Sequence, residues 1–196
     1  MPVMSAIEGA FCRSGPWRSF ARKRVLPWAV GGLNLRGDVL EIGAGSGAMA
    51  DGAARSFPDA RLTVTDVDEA MVAAAGARLS RHPSVRVERA DVTALPYLAG
   101  SFDVVTSYLM LHHVLDWLDA IGEAFRVLRP EGVFVGYDLT DTRLARTIHR
   151  LDGSPNKIIA PAELRDGLAV AGFVDVAVRV SFREHLMRFQ ATKRGA

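Results

Sequence analysis

A chain of 196 residues suffices for one domain with a sizeable core, and 49% hydrophobic with 23% charged residues excludes global disorder. A formal net charge of +2 is too small to point to nucleic acid. The single cysteine, Cys12, excludes a disulfide within the chain, and no paired-cysteine pattern suggests a metal site.

Residues 1–36 stand apart. They carry Arg13, Arg18, Arg22, Lys23, Arg24 and Arg36 against Glu8 alone. Trp17, Phe20, Ala21, Val25 and Trp28 recur at near-helical spacing. The spacing predicts an amphipathic helix from about Trp17, ended or kinked by Pro27. Glu8 interrupts the one mildly apolar stretch near the start, so no signal peptide is expected. No apolar run approaches the roughly 18 residues that a membrane span needs, and a cytoplasmic location is expected.

From Asp38 onward strand and helix patterns alternate. Val39-Leu40-Glu41-Ile42 is a short β-type run, followed by glycines. A helix fits Ala48 to Ser56, stopped by Pro58, and a strand fits Arg61 to Thr65. Asp68 caps a further helix to about Leu79. Val85 to Glu88 and Phe102 to Thr106 are the third and fourth strands. A helix from Trp117 to Leu128 ends at Arg129-Pro130-Glu131-Gly132, and Gly132 to Tyr137 is the fifth strand. Phe173 to Val180 and Glu184 to Ala191, joined by a turn around Ser181, read as a hairpin and an antiparallel edge. The alternation predicts an α/β fold: a three-layer sandwich, its sheet mostly parallel with helices on both faces. Two regions result, a helical extension over 1–36 and a main domain over 37–196.

The main chemical signal is Glu41-Ile42-Gly43-Ala44-Gly45-Ser46-Gly47. Glycines between a strand and a helix let the backbone turn tightly and approach a ligand with no Cβ in the way. The helix that follows offers free N–H groups to a polar ligand. Asp66 ends the second strand, where an acid accepts hydrogen bonds from ribose hydroxyls. Asp68 is better placed to cap the next helix. After the third strand, Asp91-Val92 faces the same crevice. These residues suit a nucleoside-bearing cofactor. Gly43-x-Gly45-x-x-Ala48 also satisfies the dinucleotide fingerprint, which leaves a nicotinamide-dependent oxidoreductase open.

In order and spacing, these motifs resemble the class I S-adenosylmethionine-dependent methyltransferases. Also matching are Asp66 with Met71, Asp91 with Leu95-Pro96, Ser101-Phe102-Asp103-Val104-Val105, Leu111-His112-His113-Val114 and Arg126-Val127-Leu128-Arg129-Pro130. Ala171-Gly172-Phe173 resembles the start of the family's sixth strand. The nearest likeness is the small-molecule branch that includes ubiquinone/menaquinone methyltransferase-like proteins. The resemblance implies a Rossmann-like, seven-stranded sheet and S-adenosylmethionine as cofactor, with S-adenosylhomocysteine as product. It implies that Gly43, Gly45 and Gly47 hold the methionine end, with Glu41, Ala44 and Ser107 alongside. It places Asp66 and Val67 at the ribose, and Asp91 and Val92 at the adenine. Glu131 departs from the family's usual Pro-Gly-Gly turn.

The acceptor is expected to be a small or lipid-like molecule, with no nucleic acid and no metal, the protein acting as a monomer or homodimer. His112, His113 and Tyr137 are the candidate catalytic residues, with Ser107, Tyr108 and Asp138 close to them in the pattern. His112 and His113, being adjacent, are expected to point apart. The basic N-terminal helix is a candidate cover for the acceptor pocket. Two other readings remain: a non-catalytic nucleoside-binding module, and the oxidoreductase. The latter commonly uses Tyr-x-x-x-Lys, but Asp141 follows Tyr137 at that spacing and His112 follows Tyr108.

Overall fold

The computed structural model describes residues 21–142, 156–182 and 184–195. A wide π-type turn, Ala21–Val25, leads into α1, Leu26–Val30. Then come β1 Gly37–Ile42, α2 Ala48–Ser56, β2 Ala60–Asp66, α3 Glu69–Leu79, β3 Val85–Arg89 and β4 Phe102–Tyr108. A 3-10 turn, Leu111–His113, precedes α4 Trp117–Val127 and β5 Leu128–Leu139. The described chain closes with α5 Pro161–Val170, β6 Phe173–Ser181 and β7 Leu186–Lys193.

The seven strands form one sheet in the order β3-β2-β1-β4-β5-β7-β6. β1 to β5 are parallel, and β7 runs antiparallel to both β5 and β6. The expected sandwich and hairpin are both present, with β6 outermost. Val39 to Ile42 of central β1 are all buried, as a strand covered on both faces requires.

Alternating side chains feed two cores. Leu40, Ile42, Val105 and Phe134 pack with α4 and α5 on one face. Val39, Val64, Val104 and Val135 pack with α1, α2 and α3 on the other. α4 buries Trp117, Ala120, Ile121, Ala124 and Val127, a continuous helical stripe. Its C-terminal carbonyls are capped from β7: Lys193 Nζ donates to Phe125 O at 2.8 Å and to Leu128 O at 2.7 Å.

Three features differ from the sequence expectation. Pro27 does not end the first helix. It sits in the first turn of α1, directly after the wide π-type turn Ala21–Val25, and Gly31 in left-handed conformation ends the helix. Trp17 and Phe20 lie outside the described residues. α5 was not anticipated: Pro161 opens it, and Gly167 lets it approach the Trp117 ring, which a Cβ would meet at 2.6 Å. β5 begins directly after α4, with an irregularity in its pairing to β4 near Glu131.

Glu131 has φ +65°, in the region that suits glycine. A side chain there costs about 1–2 kcal/mol, against roughly 0.5–1 kcal/mol of extra chain entropy lost by glycine on folding. Glu131→Gly is therefore expected to stabilise the protein by about 0.5–1 kcal/mol in urea denaturation. A loss of stability would show that Glu131 makes a contact worth more than its backbone strain.

Candidate active site

β1 meets the glycine loop at the centre of the sheet's C-terminal edge. Gly43, Gly45 and Gly47 have φ of +61°, +54° and +74°. A Cβ at Gly43 would collide with the Met110 side chain, and one at Gly47 would press on Leu79 and Ala75 of α3 at 3.0 and 3.2 Å. Neighbouring β2 holds the loop from its side. Thr65 O accepts from Ala44 N at 2.9 Å, and Asp66 Oδ2 accepts from Gly45 N at 2.7 Å. Asp66 Oδ1 accepts from Asp68 N at 3.0 Å. Burial pushes the Asp66 carboxyl up, although these N–H donors oppose the shift. Asp68 caps α3 as expected, accepting from Ala70 N at 2.8 Å.

Val67 follows Asp66 at the strand end and is half-buried. One strand further out, Asp91 begins the loop after β3. Its Oδ1 accepts from Thr93 N at 2.9 Å and from Thr93 Oγ1 at 2.7 Å. Burial raises this carboxyl, but the Thr93 donors outweigh it and hold the group below the usual range. Val92 is buried in the core beside Leu95.

Glu41 is 2% exposed. Burial pushes its carboxyl up to about 8, opposed only in part by a hydrogen bond from the Ala50 backbone. Burial and the nearby Glu41 likewise raise the Tyr108 hydroxyl. Among the described residues, the buried hydroxyl of Ser107 has no hydrogen-bond partner. Buried polar atoms usually find partners, so the Ser107 hydroxyl is suited to meet a ligand. A loop with no room for a Cβ at Gly43 or Gly47, acids ending β2 and β3, and the Ser107 hydroxyl together fit a nucleoside cofactor with a polar tail.

His112 lies in the turn after β4 and Asp138 near the end of β5; both are buried. His112 Nδ1 bonds Asp138 Oδ1 directly, and Asp138 Oδ2 accepts from His112 N at 3.3 Å. Leu139 N donates to Asp138 Oδ1 at 2.7 Å. Burial alone would raise Asp138, but His112 and the Leu139 N–H overcome it and hold the carboxyl below its usual range. The expectation that the adjacent histidines diverge fails: their ring centroids are 4.0 Å apart. Both rings belong to the 3-10 turn Leu111–His113. Tyr137 is not with them. Strand alternation sends it to the other face, where it meets Trp28 of α1 at 5.5 Å and Tyr108 at 5.9 Å. The His112–Asp138 pair was not predicted. It spans 26 residues, and only the adjacency of β4 and β5 creates it.

Unfolded, Glu41 titrates near 4.5, whereas in the fold it keeps its proton to about 8. The folded state therefore binds the extra proton across this window. The penalty is absent below the unfolded value, and stability declines as pH rises towards 8, by up to about 1.4 kcal/mol per pH unit. Glu41→Gln is expected to flatten that decline in urea midpoints measured across the window. Identical pH profiles for variant and wild type would show that Glu41 is ionised in the fold.

The methyltransferase domain family matches residues 40–136. A Mycolicibacterium smegmatis protein named "Probable S-adenosylmethionine-dependent methyltransferase" is 35% identical over 146 residues, covering 69% of this chain and 51% of its own. The ubiquinone/menaquinone biosynthesis C-methyltransferase of Desulfotalea psychrophila is 32% identical over 104 residues, covering 53% and 42%. This chain spans about half the length of the curated relatives it matches. Among solved structures, a SAM-dependent methyltransferase of Thermotoga maritima superposes with a TM-score of 0.75 at 21% identity, covering 96% of this chain and 97% of that one. The likeness shows the same fold. The ordered glycine loop and strand-end acids, the sheet order and the sequence matches agree: the chain belongs to the class I S-adenosylmethionine-dependent methyltransferase family.

Proposed function

We propose that this chain transfers the methyl group of S-adenosylmethionine to a small-molecule or lipid-like acceptor by in-line displacement. The observation that carries the reading is the hydrogen bond from Gly45 N to Asp66, which fixes the glycine loop against the acid of the next strand. A carboxylate can accept about four hydrogen bonds, so Asp66 retains capacity for ribose hydroxyls. Gly43, Ala44, Gly45 and Gly47 would face the methionine end beside Glu41 and Ser107. Asp91 and Val92 would take the adenine, with Val67 next to the ribose.

When bound, S-adenosylmethionine supplies a methyl group on a sulfonium, already a strong electrophile. The chain's residues must align the acceptor and exclude competing water. An ionised Asp138 is an acceptor only, so the Nδ1–H of His112 points at it. With Nδ1 held by Asp138, the imidazole of His112 is oriented to exchange a proton with a hydroxyl or acidic C–H of the acceptor. His113 packs beside that ring. Tyr137, on the opposite face with Trp28, suits a wall for the acceptor rather than a proton carrier. Trp28 of α1 would share that wall. The ubiquinone/menaquinone relative supports a small acceptor.

Asp66→Asn keeps an oxygen for Gly45 but loses the charge. Its dissociation constant for S-adenosylhomocysteine is expected to rise roughly 10- to 100-fold by calorimetry. Unchanged affinity in a folded variant would refute the ribose assignment. S-adenosylhomocysteine should raise the melting temperature of the wild type, and NADP should not. Stabilisation by NADP alone would favour the oxidoreductase. With an acceptor in hand, His112→Gln should lower kcat by about 100-fold or more while cofactor affinity holds. Full turnover by that variant would remove His112 from the proton path.

A further inference from the structure

Ser46 lies between Gly45 and Gly47 and is 2% exposed. Its carbonyl and its hydroxyl both accept from Nη1 of Arg78, the hydroxyl at 2.8 Å. Arg78 stands in the last turn of α3, 32 residues further along the chain. The same end of α3 grips a second point. Arg81 Nη2 and His82 Nε2 each meet Asp51 Oδ1 at 2.8 Å, in the first turn of α2. Arg78 alone of these three reaches the loop itself.

A loop that aims N–H groups at a ligand turns carbonyls back into the protein. The Ser46 carbonyl is such a group, and it needs a donor. Flanking glycines make the alternative cheap, because peptide planes between them can rotate with little steric penalty. The N–H of that same plane, Gly47 N, donates to Ala44 O at 3.0 Å, so a rotated plane would break this turn and reshape the loop. The Arg78 guanidinium selects one orientation by binding the carbonyl and the side chain of the same residue.

We propose that Arg78 is a positioning residue for the cofactor, locking Ser46 so that the glycine loop is already set in its binding conformation before the ligand arrives. This rests on the reading that the loop holds S-adenosylmethionine. The lock removes ordering that would otherwise be charged to binding. Its effect falls on cofactor affinity rather than on the chemical step. Arg81, which holds Asp51, supports the helix without setting the loop.

The test compares Arg78→Met, Arg78→Lys and Arg81→Met. Each is titrated with S-adenosylhomocysteine, and each is probed without ligand by amide hydrogen exchange over residues 43–47. Arg78→Met keeps an apolar stem but has no donor. It is expected to weaken binding about tenfold and to speed exchange in the loop. Arg78→Lys should recover most of both losses, because one ammonium can still reach Ser46. Arg81→Met should lower the urea midpoint yet leave affinity and loop exchange near wild type. Equal loss of affinity in Arg78→Met and Arg81→Met, or unchanged loop exchange in Arg78→Met, would overturn the proposal. A wild-type chain that does not bind S-adenosylhomocysteine would instead strike at the cofactor reading, and the ligand-free exchange would still decide whether Arg78 sets the loop.

Discussion

The turn from β1 into α2 asks for left-handed backbone at three alternate positions, and glycine meets that demand at little cost. The arrangement around it follows. Because no Cβ intrudes, Met110 closes over Gly43 and α3 packs against Gly47. The exposed amides draw the Thr65 carbonyl and the Asp66 carboxylate from β2. The loop also marks where the strand order reverses: β1 has β2 on one side and β4 on the other. Crevices form at such a reversal. Asp66 and Asp91 therefore fall on one flank of the loop, and Ser107, His112 and Asp138 on the other. The division of these polar groups between the two flanks is thus a property of sheet order.

Two buried carboxyls show how environment assigns roles. Glu41 and Asp138 are both almost fully buried. Glu41 has one backbone donor against the full penalty of burial and keeps its proton. Asp138 has an imidazole and an N–H, and stays ionised. Alternation puts them on opposite faces of the sheet. One end of the sheet thus presents a neutral acid on the α1 side and a charged acid with a histidine on the α4 side.

Much of this was legible in the sequence because its causes are local. The glycine loop, the Asp68 cap and the helix over Ala48–Ser56 each depend on a few consecutive residues. Asp66 was readable because a strand end has a fixed place in a parallel sheet. The rest depended on distant partners. Arg78 lies on an ordinary helix, and nothing nearby shows that it reaches back 32 residues to Ser46. The His112–Asp138 bond required knowing that β5 lies beside β4. α5 was missed because its apolar face is short, with Leu164, Gly167 and Leu168 buried. Pro27 does not end the helix because a proline near the start of an α-helical turn leaves the following residues free to continue it, here to Gly31.

β7 is the last of the seven strands to be synthesised, yet it lies inside the sheet, between β5 and β6. Until it is made, β5 presents an unpaired edge and β6 has no strand to join. The five parallel strands can assemble in order as the chain grows, but closure awaits residues 186–193. A row of unpaired backbone groups on a hydrophobic strand is a template for foreign pairing. The nascent protein therefore passes through an interval in which β7 competes with neighbouring chains for β5. Lys193 then joins that strand to the carbonyls of α4, so the same event that covers the edge also fastens the helix beneath it.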